Sequence, residues 1–129
     1  MITFICNKLG RDKGLEGFKS ENIVLHYKIL SGAELCTALK NKIVEEAHEV
    51  NEASTQQELI AELADVLEVV DGLCKVYGIS ANDLQLIKKE KKQERGSFEK
   101  GLYIETIEMN DDNPKVQHFR ASPTKYPEI

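Results

Sequence analysis

Positive charge is scarce in this sequence. Seventeen lysines and arginines stand against 22 aspartates and glutamates, a net charge of −5. The one basic concentration is the short run Lys88–Arg95. A protein that lives on a nucleic-acid backbone carries the opposite balance, so DNA and RNA are not expected partners. Long hydrophobic runs are missing as well: none approaches the ~18 residues of a membrane span, and the apolar start Met1–Cys6 is too short for a signal peptide. Cysteine is limited to Cys6, Cys36 and Cys74, odd in number, far apart and in no CxxC pairing. That pattern argues against a disulfide framework and suits reduced thiols, with Cys36 and Cys74 as small core residues. A cytoplasmic protein is the expectation. Internal repeats and low-complexity tracts are absent, and proline is withheld until Pro114.

What is present is an ordinary soluble composition, 41% apolar and 30% charged, in 129 residues. One domain over 1–109 and a polar, proline-containing tail over 110–129 are expected, the tail poorly ordered. Met1–Cys6, the alternating segment Ile23–Leu30 and Leu102–Ile107 read as short strands, and Gly10–Gly14 as a charged loop. Three helices are predicted between them. The first covers 32–53, with Ser31 and Glu34 forming a capping-box pattern. The second starts from Ser54 or Thr55, with Thr55-x-x-Glu58 as its box, and stops at Gly78, a left-handed C-cap. The third runs from Ser80-x-x-Asp83 to Gly96. Apolar residues wrap most of the second helix, which should therefore be the most buried.

Acidic residues gather in two helix-spaced clusters, Glu45-Glu46-x-x-Glu49 and Glu62-x-x-Asp65. At about 100° per residue, Leu35, Leu39, Ile43, Glu46, Val50 and Ala53 share one stripe, so Glu46 stands where the pattern calls for a leucine. On the second helix, Glu68, Asp71 and Lys75 form an edge suited to solvent, while Glu58, Glu62 and Asp65 form another, roughly opposite. Antiparallel packing of the two helices would aim these carboxylates at one point. Crowded carboxylates repel and are costly to desolvate unless a cation lies between them, and oxygen-only ligands favour Mg²⁺ or Mn²⁺. Three readings are open. A solvated helix surface explains Glu45 and Glu52 easily but Glu46 poorly. A di-iron carboxylate bundle needs two Glu-x-x-His pairs, and only Glu45-x-x-His48 is available. The third is a magnesium-dependent phosphate enzyme.

Glu45-Glu46-x-x-Glu49 followed by Glu62-x-x-Asp65 resembles the EExxE…ExxD signature of the all-α nucleoside triphosphate pyrophosphohydrolases, the superfamily of MazG-like and phosphoribosyl-ATP pyrophosphohydrolase-like proteins. Asn7–Lys13 is similar to the KLVRDK stretch of one branch, with Gly10 in place of its hydrophobic residue and Gly14 where that branch has an isoleucine. Lys91 through Arg95-Gly96-Ser97-Phe98 resembles its K…RGGF segment. The likeness spans about 7–105.

The resemblance implies a mainly α, antiparallel helical bundle with short flanking strands, completed by oligomerisation into a homodimer or homotetramer. It implies cleavage of a nucleoside triphosphate between the α and β phosphates, giving monophosphate and pyrophosphate, in a biosynthetic role or in clearing non-canonical nucleotides. Glu46, Glu49, Glu62 and Asp65 would hold one or two Mg²⁺ ions (Mn²⁺ as substitute). Glu45 would bridge a second ion or act as general base. Lys88, Lys91 and Arg95 would hold outer phosphates, Lys88 on helical spacing alone, with Arg11 and Lys13 as further substrate contacts. With no nucleophilic serine or cysteine beside a histidine, water attacks directly. The alternative is a non-catalytic helical module that binds nucleotide or metal.

Overall fold

The computed structural model describes residues 1–129. Five helices follow one another: α1 (Gly14–Ser20), α2 (Gly32–Glu52), α3 (Gln56–Tyr77), α4 (Ala81–Arg95) and α5 (Val116–Arg120). The chain divides into two compact units, Met1–Lys91 and Lys92–Ile129.

The first unit is organised by α2 and α3, which pack along each other and are joined by the short link Ala53–Thr55. Such a link brings the second helix back antiparallel to the first. Local chemistry sets the turn. The Thr55 hydroxyl accepts a hydrogen bond from the Glu58 N–H at 3.1 Å. The Glu58 carboxylate accepts in return from the Ser54 N–H at 2.9 Å and from the Ser54 hydroxyl at 3.1 Å. Glu58 is thus a capping residue, and those bonds from Ser54 hold its carboxyl below the ordinary value. At the other end Gly78 adopts φ +67°. Its N–H reaches the Lys75 carbonyl while the Ile79 N–H reaches the Cys74 carbonyl at 2.8 Å, a Schellman stop.

Gly72 marks the close approach of the pair: a Cβ there would stand 3.2 Å from Leu39 Cδ2. Little else is enclosed. Val69 and Glu46 are the only buried residues, each 8% exposed. The expectation that α3 is the most buried helix is corrected accordingly. Ile60, Leu63 and Leu67 are exposed on it, because the single chain has no further element to lay over that face.

Other expectations are corrected too. Met1–Cys6, Ile23–Leu30 and Leu102–Ile107 form no strand. A strand exists only within a ladder that satisfies its N–H and C=O groups, and none of the three has a partner segment. Their apolar side chains stay open, with Ile2, Ile5, Ile29 and Tyr103 85–89% exposed. Ser31 precedes α2 without a side-chain cap bond, and Gly32 enters the helix at φ +54°, a geometry outside the usual first-turn dihedrals. The charged loop leads into α1, missed because Gly14 and Gly17 weaken the helical pattern.

In the second unit the tail carries structure of its own. The Asn113 side chain accepts from the Lys115 N–H at 2.9 Å, starting the turn into α5. Phe119 meets Tyr126 edge to face at 4.9 Å, and Arg120 forks onto Glu128 through bonds of 2.9 and 2.7 Å.

Replacing Gly78 by alanine puts a Cβ into the left-handed region, a cost of about 1–2 kcal/mol. Urea denaturation of Gly78→Ala should show a lower midpoint with an unchanged slope.

Candidate active site

The site grows from one misfit in a regular pattern. α2 places Glu46 on the face it turns toward α3, among Leu39, Ile43 and Val50, where burial is otherwise apolar. α3 brings Glu62 and Asp65, both half-buried and one helical turn apart, to the same place. One carboxylate oxygen from each of Glu46, Glu62 and Asp65 lies within 4.8 Å of the other two. The edge formed by Glu68, Asp71 and Lys75 is exposed, so the two polar edges of α3 have separate fates: one faces water, the other the cluster.

Electrostatics follow the crowding. Desolvation, then the charges of Asp65, Glu49 and Glu46, push the Glu62 carboxyl above its ordinary value. The neighbouring Glu45 goes the other way. Its partial burial opposes the charge, but the hydrogen bond and charge of Lys42, joined by Lys8, outweigh this and hold its carboxyl low. Lys42 lies 3.1 Å from Glu45 and 3.4 Å from Glu46. Burial disfavours its ammonium, yet the two glutamates together raise its proton affinity. Two further cations come from the N-terminal loop: Lys8 Nζ lies 3.5 Å from Glu45, and Arg11 donates to Asp65 Oδ1 at 2.5 Å.

The structure therefore unites Glu46, Glu62 and Asp65, sets Glu45 beside them through Lys42, and adds Arg11. Glu49 is exposed and outside the tight group, though its charge reaches Glu62. Lys13, Lys88, Lys91 and Arg95 are exposed and make no ion pair, and His48 is exposed and apart from the acids, which removes the histidine a di-iron site needs. Sequence reasoning did not assign Lys8 and Lys42 to the site. Lys42 was visible as a cation one turn before Glu45 and Glu46. Lys8 carried no signal beyond its place in the motif-like stretch Asn7–Lys13.

Three oxygens of this spread suit a hard cation. Ligands on opposite sides of Mg²⁺, each about 2.1 Å from it, stand about 4.2 Å apart, so small side-chain adjustments bring the trio into range. The donor set holds no sulfur or imidazole, which fits Mg²⁺ or Mn²⁺ rather than zinc or copper.

A stability test follows from Glu62. Its folded-state proton affinity is raised, so the folded chain binds protons more tightly than the unfolded chain, and stability falls as pH rises through that carboxyl's titration. Without divalent cations, Glu62→Gln should melt higher than the unaltered protein at neutral pH. The gap should close as pH falls below the raised value, where Glu62 is protonated in the folded chain. Equal melting temperatures at neutral pH would show that the crowding carries no cost.

Comparison with known proteins agrees with this arrangement. The family model described as phosphoribosyl-ATP pyrophosphohydrolase matches residues 27–98, which span α2, α3 and α4 and include all five acidic residues of the two clusters. No curated protein and no solved structure matches the chain. The matched segment is more than half of the sequence and contains the converging carboxylates, and the chain belongs to the phosphoribosyl-ATP pyrophosphohydrolase family, within the MazG-like all-α nucleoside triphosphate pyrophosphohydrolases.

Proposed function

We propose that the protein is a divalent-metal-dependent nucleotide pyrophosphohydrolase that converts nucleoside triphosphates to monophosphates and pyrophosphate. The carrying observation is the convergence of Glu46, Glu62 and Asp65 oxygens within 4.8 Å, on the segment that matches the family. These three residues, with Glu49 nearby, would hold Mg²⁺, or Mn²⁺ in its place. When bound, the ion would supply neutralisation of the polyphosphate and polarisation of the attacked phosphorus.

The chain's own residues define the remaining work. Water is the nucleophile: its oxygen bonds to phosphorus, the α–β bridging oxygen departs with pyrophosphate, and the water protons pass to nearby carboxylates. Glu45 is kept ionised by Lys42 and Lys8, which also makes it a weak base. That combination favours orienting the water over full proton abstraction. Glu62, whose proton affinity is raised by crowding in the metal-free chain, would give up that excess proton affinity to the ion when one is bound. Lys88, Lys91 and Arg95 recur on one face of α4 and are assigned to the outer phosphates, an assignment supported by helical spacing and by the match over residues 27–98. Arg11 is assigned a substrate contact because it already reaches the carboxylates; Lys13 keeps that assignment on motif likeness alone. Clearance of non-canonical nucleotides and a biosynthetic role are both compatible with this reading. No helix is long and apolar enough to cross a membrane.

A homodimer or homotetramer is part of the proposal. Fully burying one leucine contributes about 1.5–3 kcal/mol, and Ile60, Leu63 and Leu67 on α3 and Val44 on α2 forgo roughly half of this in the single chain. Packing α2 and α3 against the same helices of a second copy would form a four-helix bundle.

Two measurements decide these points. A panel of canonical and non-canonical nucleoside triphosphates and phosphoribosyl-ATP, assayed for pyrophosphate with and without Mg²⁺, should give metal-dependent product. Asp65→Asn should lower turnover at least a hundredfold with helix content unchanged; retained turnover would remove Asp65 from the site. Sedimentation should find an oligomer that Leu67→Glu dissociates, and a monomeric unaltered protein would exclude the bundle.

A further inference from the structure

Arg11 and Lys8 are the cations on the site that come from outside the helix pair, and they stand outside the family-matched segment. Arg11 lies 54 positions before Asp65 in sequence, yet donates to its Oδ1. Lys8 reaches Glu45 on the other helix. The loop is thus tied to both walls of the site by charge. Its other hold is slight: Leu9 is half-buried, whereas Asn7, Lys8 and Gly10 around it are exposed, with Asn7 in the left-handed region at φ +50°. Both ion pairs are wet, with side-chain exposures of 64% for Arg11 and 38% for Asp65, and 53% for Lys8 and 26% for Glu45. Pairs of that kind are weak enough to exchange.

Asp65 belongs at once to this pair and to the oxygen trio with Glu46 and Glu62. A guanidinium and a divalent ion are both drawn to the same carboxyl group, and they repel each other across it. We propose that Arg11 and a divalent cation are competing partners of Asp65, so that metal loading releases the N-terminal loop and frees the Arg11 guanidinium for an anionic ligand. The proposal rests on the reading of Glu46, Glu62 and Asp65 as a metal site. Release would couple two events at one place: the ion arrives at the carboxylates, and a cation is delivered to the polyphosphate that the ion attracts. A residue that merely orients Asp65 from behind would act in the opposite direction, because removing such a support weakens metal binding about 10- to 100-fold.

The sign of the effect on metal affinity therefore separates the two roles. Mn²⁺ binding to the full-length protein, followed by electron paramagnetic resonance without nucleotide, should be about 1.5- to fivefold tighter in Arg11→Gln than in the unaltered chain, the range expected from losing one exposed competing pair. Lys19→Gln removes the same charge from α1, where the lysine makes no ion pair, and should leave the affinity unchanged. Limited trypsin digestion supplies a second readout: Mn²⁺ should speed cleavage after Arg11 and Lys13 in the unaltered protein. Weaker Mn²⁺ binding in Arg11→Gln, an equal gain in Lys19→Gln, or slower cleavage with Mn²⁺ would each overturn the exchange. Failure of the unaltered protein to bind Mn²⁺ would instead overturn the metal site and the exchange with it, while Mn²⁺ binding lost only in Asp65→Asn would uphold the site.

Discussion

Several like charges from two helices occupy one small, partly dehydrated space, and the rest of the first unit is arranged around tolerating that. Coulomb repulsion and lost hydration both favour moving Glu46, Glu62 and Asp65 apart, and the raised proton affinity of Glu62 is the mark of that tension. Packing prevents the separation. Gly72 lets α3 approach Leu39 of α2 closely, and the reciprocal Thr55–Glu58 and Ser54–Glu58 bonds set where α3 begins. Positive charge relieves what packing enforces. Lys42 supplies it from within α2, while Lys8 and Arg11 supply it from a segment distant in sequence. Glu45 on α2 and Glu62 on α3 consequently shift in opposite directions.

The helix pair was legible because its signals are local. Thr55, Glu58 and Gly78 act within one turn of chain, and each behaves as its chemistry requires. The site was legible for a related reason: Glu46 interrupts a periodic apolar stripe, and an interruption can be seen only against a period. What the sequence did not disclose is mostly non-local. No rule of spacing connects Lys8 with Glu45 or Arg11 with Asp65, since those pairs depend on how a loop is led across two helices. The three expected strands failed for the same reason. Alternation in Ile23–Leu30 describes a segment able to join a ladder, but a ladder needs a second participant that no residue in the segment can specify. The contacts of the tail were likewise beyond what its composition could show: Phe119 meets Tyr126, and Arg120 pairs with Glu128.

The two halves of the chain's chemistry are differently secured. The carboxylates are borne by long helices whose backbone bonds are internal, so their spacing is kept by regular structure. The N-terminal cations are carried by a loop held chiefly through the side chains it neutralises. That division suits a catalyst in which a fixed anionic surface meets diffusing or swinging positive charge.

Glu46 has a further consequence for the history of such a protein. Because it interrupts the stripe that joins α2 to α3, the same position answers, under the proposed function, to two demands that pull apart, cohesion of the hairpin and affinity for a cation. A descendant released from its chemical duty would gain cohesion from a single step to leucine or methionine there. The glutamate found at that position is therefore a more telling sign of a working lineage than any of its exposed acidic neighbours, whose replacement would leave the hairpin indifferent.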